Sequence, residues 1–183
     1  MKKKISILGA TGSIGVSALS IIDKKKSFFN IVLLSSNKNF NLICKQIKKY
    51  KPKYYVINDL KIFNKVKKKF KKSKVKIINC FDFNDKNIKS EIVISAIPGV
   101  AGLNPTINII DKTKKILIAN KESIICGWNL IKEKAKKNKT KIVPIDSEHF
   151  SIFQLIKNTK IEDIEKIFLT ASGGPFLNLK ISK

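Results

Sequence analysis

Short β-branched runs alternate along this chain with longer amphipathic stretches, and that alternation constrains the fold more than any other feature. Strands are expected at residues 5–8, 31–35, 53–57, 75–79, 92–95, 115–119 and 141–145. Helices are expected between and after them, at 13–24, 40–50, 60–71, 100–111, 128–138 and 147–157. Within 60–71, Ile62, Phe63, Val66 and Phe70 recur at helical spacing while lysines fill the other face. A further strand of different surroundings is expected at 164–170. Strand–helix–strand repeats join parallel strands through right-handed crossovers, which puts helices on both faces of one sheet. The expected class is α/β: a Rossmann-like, doubly wound, mostly parallel sheet over 1–145, then the start of a second, α+β domain over 146–183.

The first strand runs into Gly9-Ala-Thr-Gly12-Ser-Ile-Gly15 and then a helix. Glycines there permit a tight turn and let a pyrophosphate approach the backbone, where a helix start offers free N–H groups and partial positive charge. Thr11 and Ser13 add hydroxyl donors. The spacing is G-x-x-G-x-x-G, so the turn alone also suits an ordinary strand–helix junction. The second strand ends in Ser35-Ser36-Asn37-Lys38-Asn39. No carboxylate stands there to hold ribose hydroxyls, and a cation with small polar groups suits a 2′-phosphate. NADPH is favoured as the cofactor, although on composition alone Lys38 is one more surface lysine in a lysine-rich chain.

Composition removes several other classes. No apolar run approaches the ~20 residues a membrane span needs, and the lysine-rich start has too short an apolar stretch for a signal peptide. A cytoplasmic protein is expected. Three widely spaced cysteines form no CxxC pair, so reduced thiols are expected rather than disulfides or a zinc cluster. The net charge of +25 would suit nucleic acid, but every cation is lysine and the lysines are spread throughout. Dedicated nucleic-acid binding is not expected; weak, salt-sensitive association is.

Three more segments carry chemistry at strand ends. Ala119-Asn120-Lys121-Glu122-Ser123 follows a strand, where ligand crevices of open parallel sheets lie; a loop with Ser123 as a helix cap is the plainer reading. Asp146-Ser147-Glu148-His149 follows another. Its two carboxylates can converge on a hard cation, although Asp146 equally suits a helix N-cap. Thr170-Ala-Ser172-Gly-Gly-Pro-Phe176 can present donors to a phosphate, or simply turn the chain.

Taken in order, GATGSIG, ANKES, DSEH and LTASGGPF resemble the 1-deoxy-D-xylulose 5-phosphate reductoisomerase family over residues 4–176. The resemblance implies an NADPH-dependent enzyme of non-mevalonate isoprenoid synthesis. That enzyme converts 1-deoxy-D-xylulose 5-phosphate to 2-C-methyl-D-erythritol 4-phosphate, as a homodimer with Mg²⁺ or Mn²⁺. It assigns Thr11, Gly12, Ser13 and Ile14 to the pyrophosphate, and Asn37, Lys38 and Asn39 to the 2′-phosphate ribose. Asn120 and Glu122 would face the nicotinamide half. Lys121, Ser147 and Ser172 would serve the substrate, and Asp146 and Glu148 the metal. The family's third metal carboxylate, its substrate-covering loop and further phosphate ligands match nothing up to Lys183, so these 183 residues are expected to be an N-terminal part, inactive alone. Other reductases of this fold remain open, but no Tyr-x-x-x-Lys pair supports a short-chain type, and Cys126 lacks an evident base for a semialdehyde type. A non-catalytic cofactor-binding protein is the third possibility.

Overall fold

A computed structural model describes residues 1–83, 85 and 88–169. The strands are β1 (Lys3–Leu8), β2 (Phe29–Ser36), β3 (Tyr54–Ile57), β4 (Lys76–Ile78), β5 (Ser90–Ser95), β6 (Thr113–Ile118) and β7 (Lys141–Pro144). The helices are α1 (Ser13–Lys24), α2 (Phe40–Tyr50), α3 (Leu60–Lys69), α4 (Leu103–Ile109), α5 (Lys121–Lys137) and α6 (Ser147–Ile156). All seven strands pair in parallel, in the order β4-β3-β2-β1-β5-β6-β7. The winding reverses between β1 and β5. At that reversal the two crossovers leave in opposite directions and open a crevice beyond the strands' carboxyl ends.

Why the strands read as continuous apolar runs is clear from their packing. Ile5, Ile7, Leu34, Tyr55, Ile57 and Ile94 face one core, with Leu19, Ile22, Ile43, Ile47 and Val66 from α1, α2 and α3. Their neighbours Leu8, Leu33, Tyr54, Val56 and Val93 face a second core, where α5 contributes Ile131 and Ala135. Both faces are covered, so both sets of alternate residues must be apolar. No helix among the described residues is long and apolar enough to cross a membrane. Cys44, Cys80 and Cys126 are free thiols.

Three expectations need correction. The helix expected at 128–138 begins at Lys121, because Gly127 adopts φ −137°, ψ 20° inside α5 and shifts the phase of its apolar positions. The single helix expected at 100–111 is α4 flanked by 3₁₀ turns at Val100–Gly102 and Ile110–Lys112. Pro105 sits in the first turn of α4, where a missing N–H is tolerated. Residues 164–169 form no strand. A β-branched run favours extended backbone but cannot supply the neighbouring strand that its N–H and C=O groups need. Thr170 lies outside the described residues.

The chain divides into two compact units, the first spanning Met1–Ile145 and the second beginning at Asp146. The first depends on its glycine turn. Gly9 has φ +85°, and a Cβ there would lie 2.5 Å from the Ala96 carbonyl oxygen on the neighbouring strand's exit. A Cβ on Gly15 would lie 2.3 Å from the Gly9 oxygen. At Gly12 the nearest atom would be 3.5 Å away, an ordinary contact. Gly9→Ala and Gly15→Ala should therefore each cost about 2–3 kcal/mol in urea unfolding, and Gly12→Ala less than about 1 kcal/mol. Equal midpoints for Gly15→Ala and the parent would show that the turn relaxes freely.

Candidate functional site

A cleft of about 280 Å³ opens at the carboxyl ends of β1, β2 and β5. Gly9, Thr11 and Gly12 form one wall, Ser35, Ser36, Asn37 and Asn58 another, and Phe81, Ala96, Ile97, Pro98 and Ala101 the rest. Ser13 and Ile14 follow at the exposed start of α1. That helix start has no side-chain cap, and its first helical bond is donated by the Val16 N–H to the Gly12 oxygen. By contrast α2, α3, α5 and α6 are capped by Asn39, Asp59, Asn120 and Asp146. The N–H groups and positive dipole end of α1 are thus presented where the cleft opens. A larger depression of about 860 Å³ lies at the opposite, amino end of the sheet, among lysines such as Lys4, Lys51 and Lys74. It contains no carboxylate, cysteine or histidine. Lys48 and Lys51 there sit at the end of α2, whose dipole they complement.

The β2–α2 loop brings Asn37, Lys38 and Asn39 together, all exposed, with Asn37 on the cleft wall. The Asn39 side chain accepts from Leu42 N–H at 3.1 Å, so its oxygen caps α2. Beneath the cleft lie Ser35 and Ser36, which the sequence offered only as part of the β2 exit, with Gln46 and Tyr55, which it did not single out for the site. Ser35 accepts the Gly9 N–H on its Oγ at 3.0 Å and the Ala10 N–H on its carbonyl at 2.7 Å. Gln46 donates from Nε2 to the Ala10 oxygen at 2.7 Å, and Tyr55 donates to Gln46 Oε1 at 2.6 Å. Ser36 Oγ lies 2.8 Å from the Tyr55 hydroxyl. Burial raises the Tyr55 pKa far above the ordinary phenol value, against the pull of the Ser36 bond, so the hydroxyl keeps its proton. Polar residues in otherwise apolar strands were the available signal for Ser35 and Ser36. Nothing in sequence marked Gln46.

Asn120 is buried and caps α5, accepting from Ser123 N–H at 2.9 Å. Ser123, read in the sequence as the possible cap, is the residue being capped. The Asn120 amide nitrogen donates to the Ile97 oxygen and, at 2.8 Å, to the Gly99 oxygen. It thereby fixes the loop whose Ile97 and Pro98 line the cleft. Lys121 and Glu122 form the exposed first turn of α5.

In the second unit, Asp146 caps α6. Its Oδ1 accepts the His149 N–H at 3.0 Å and lies 2.6 Å from His149 Nδ1. A carboxylate can only accept, so Nδ1 carries the ring proton in this contact. Partial burial pushes the Asp146 carboxyl up, but the main-chain and ring bonds from His149 outweigh it and hold its pKa below the ordinary value. Glu148 Oε2 accepts from Ser147 Oγ at 2.9 Å. No group of three His, Cys, Asp or Glu side chains gathers among the described residues. Ser172 lies outside them.

A parallel sheet whose winding reverses beside a glycine turn and an uncapped helix start defines a Rossmann-like α/β protein. The chain belongs to the 1-deoxy-D-xylulose 5-phosphate reductoisomerase family: residues 5–127 match that family and residues 142–183 match its C-terminal domain. The Pelagibacter ubique (strain HTCC1062) 1-deoxy-D-xylulose 5-phosphate reductoisomerase is 51% identical over 99% of this chain and 48% of its own length. The solved structure of the Zymomonas mobilis reductoisomerase in complex with NADPH superposes with a TM-score of 0.88 at 31% identity, over 98% of this chain and 48% of that one. A DOX-P reductoisomerase solved in complex with magnesium gives 0.86 at 30%, with the same coverage. The chain therefore spans about half the length of the curated relatives it matches.

The depressed pKa of Asp146 has a defined sign. A carboxyl lowered on folding adds stability that is present above its unfolded value of about 3.9 and is lost as pH falls through the folded value. The side-chain carbon of Asp146 should therefore titrate, by NMR, below a free Asp, and protection of the His149 amide should decline over the same range. A midpoint at or above the free value would contradict the capping contact.

Proposed function

We propose that this chain supplies the NADPH-binding unit and two metal ligands of an enzyme that converts 1-deoxy-D-xylulose 5-phosphate to 2-C-methyl-D-erythritol 4-phosphate, in non-mevalonate isoprenoid synthesis. The observation that carries the reading is the uncapped start of α1 beside Gly12, at the switch point of the sheet. The fold needs Gly9 and Gly15, but not Gly12. A bare backbone at that position matches close approach by a pyrophosphate. Family membership and the NADPH bound by the Zymomonas mobilis relative support the same assignment.

Each residue then has a physical task. The N–H groups of Ser13 and Ile14, with the Thr11 hydroxyl, hold the pyrophosphate. Lys38 and Asn37 meet the 2′-phosphate, and Asn39 acts mainly by fixing α2. Asn120 positions the 97–99 loop beside the nicotinamide half, Glu122 lies on that side, and Lys121 reaches toward the substrate. Asp146, kept anionic, and Glu148 offer hard oxygen donors to Mg²⁺ or Mn²⁺, with Ser147 beside them, and Ser172 serves the substrate phosphate. When bound, NADPH supplies the hydride and the cation offsets charge on the substrate oxygens. The whole protein would work as a cytoplasmic homodimer, which light scattering at assay concentration checks. Nucleic acid would be held only through scattered lysines, so such binding should vanish with added salt.

The cofactor assignment predicts that NADPH binds more tightly than NADH in calorimetry. Lys38→Ala should narrow the gap, and Gly12→Ala should weaken both without loss of fold. Equal affinities in the parent would refute the 2′-phosphate role.

Two carboxylates leave most positions around a divalent ion to water, so Mn²⁺ should bind weakly, and more weakly in Asp146→Asn, by water proton relaxation. Catalysis needs cofactor, cation and substrate held together away from water, and this chain spans about half the length of its relatives. NADPH oxidation by purified 1–183 with substrate and Mn²⁺ should therefore stay at background. Steady turnover that disappears in Glu148→Gln would overturn that expectation.

A further inference from the structure

A run of buried polar groups beneath the cleft has no direct task in the proposed chemistry. Gln46 on α2 is 3% exposed, Tyr55 on β3 is fully buried, and Ser36 at the end of β2 is 6% exposed and lines the cleft. Ala10, to which they lead, stands inside the glycine turn. Its carbonyl can only accept a hydrogen bond, so the Gln46 amide nitrogen must face it and the amide oxygen must face Tyr55. Tyr55 has a single hydroxyl hydrogen, and that hydrogen goes to Gln46. The bond between Ser36 and Tyr55 is then donated by Ser36. One main-chain carbonyl thus fixes the direction of every hydrogen in the series, and Ser36 is left with lone pairs only.

Buried polar groups carry a desolvation penalty that apolar side chains of the same shape avoid. Their compensating property is a fixed geometry, since a fully satisfied network has one arrangement. This one ties the glycine turn, through α2 and β3, to the end of β2. Those are the two segments that would hold the two ends of a dinucleotide's adenosine diphosphate portion, and neither contact forms well unless their separation is fixed.

We infer that Gln46 and Tyr55 are positioning residues for the nucleotide: they set the glycine turn against the end of β2 and hold Ser36 as an acceptor turned to the cleft, suited to a ribose hydroxyl. The inference rests on the NADPH reading of this cleft and deepens it. Gln46→Met and Tyr55→Phe keep side-chain shape and remove only the bonding groups. Each should weaken NADPH binding about tenfold, through the lost bond and the misplacement that follows. The double variant should bind no worse than the weaker single one, because both cut the same series. Its loss of Tm should be smaller than the sum of the two single losses, because the Gln46–Tyr55 bond is cut in both and only the Ala10 carbonyl and the Ser36 hydroxyl are left without their partners. Ser36→Ala, which leaves the Gln46–Tyr55 and Gln46–Ala10 bonds in place, should lower affinity with a smaller fall in Tm than either Gln46→Met or Tyr55→Phe. As a control, Thr140→Val removes a buried hydroxyl whose one hydrogen is shared between the Ile110 and Thr113 oxygens, away from the cleft; it should lower Tm and leave affinity unchanged. Parent-like affinity in the variants, or affinity that simply follows Tm across all of them, Thr140→Val included, would overturn the inference while leaving the nucleotide reading intact. A parent that binds no NADPH would overturn both.

Discussion

At the glycine turn, three main-chain segments approach more closely than any Cβ allows. The Gly9 backbone lies against the Ala96 carbonyl at the exit of β5, and Gly15 in α1 lies against Gly9. These contacts fix where α1 starts relative to β1 and how near β5 can come. The sheet reverses its winding at this pair of strands, so the same contacts decide where the crevice opens. Core packing on either face then follows from strand alternation, with Tyr54 and Tyr55 pointing into different cores.

A tight turn of this kind leaves polar groups that need partners. Most are met by the protein. Ser35 takes the N–H groups of Gly9 and Ala10, and Gln46 takes the Ala10 carbonyl. The start of α1 lacks a side-chain cap, as does α4, which continues from a 3₁₀ turn, while α2, α3, α5 and α6 each have one. Satisfied groups hold the turn rigid, and the unsatisfied ones are what the proposed pyrophosphate site would draw on.

Asp146 shows the same economy in the second unit. One carboxylate oxygen caps α6 and fixes the His149 ring, and the bonds that do so keep the group ionised. Capping and metal ligation are often treated as alternatives for such a residue. Here the cap uses Oδ1, and the anionic state it favours is the one a hard cation requires.

The sequence by itself determined the alternation of elements, the parallel class and the position of the glycine turn, because these follow from local periodicity and from φ values that only glycine adopts easily. It also offered a helix cap at Asp146 beside the metal reading, and the cap is present, since capping involves residues only three apart. Tertiary structure alone decided the rest. The helix that pattern placed at 128–138 is preceded by a helical stretch from Lys121, joined to it across a kink at Gly127, where a Cβ would come within 2.3 Å of Leu103, a residue distant in sequence. Residues 164–169 look like a strand by composition, yet a strand exists only where another chain segment pairs with it. Gln46 reads as one more polar residue on an amphipathic helix, and it proved buried because β3 and the glycine turn meet around it. Asn120, to which the family resemblance gives a place beside the nicotinamide half, also bonds through its amide to Ile97, Gly99 and Ser123. Hydrogen bonds across such separations depend on which elements become neighbours, and local pattern carries no information about that.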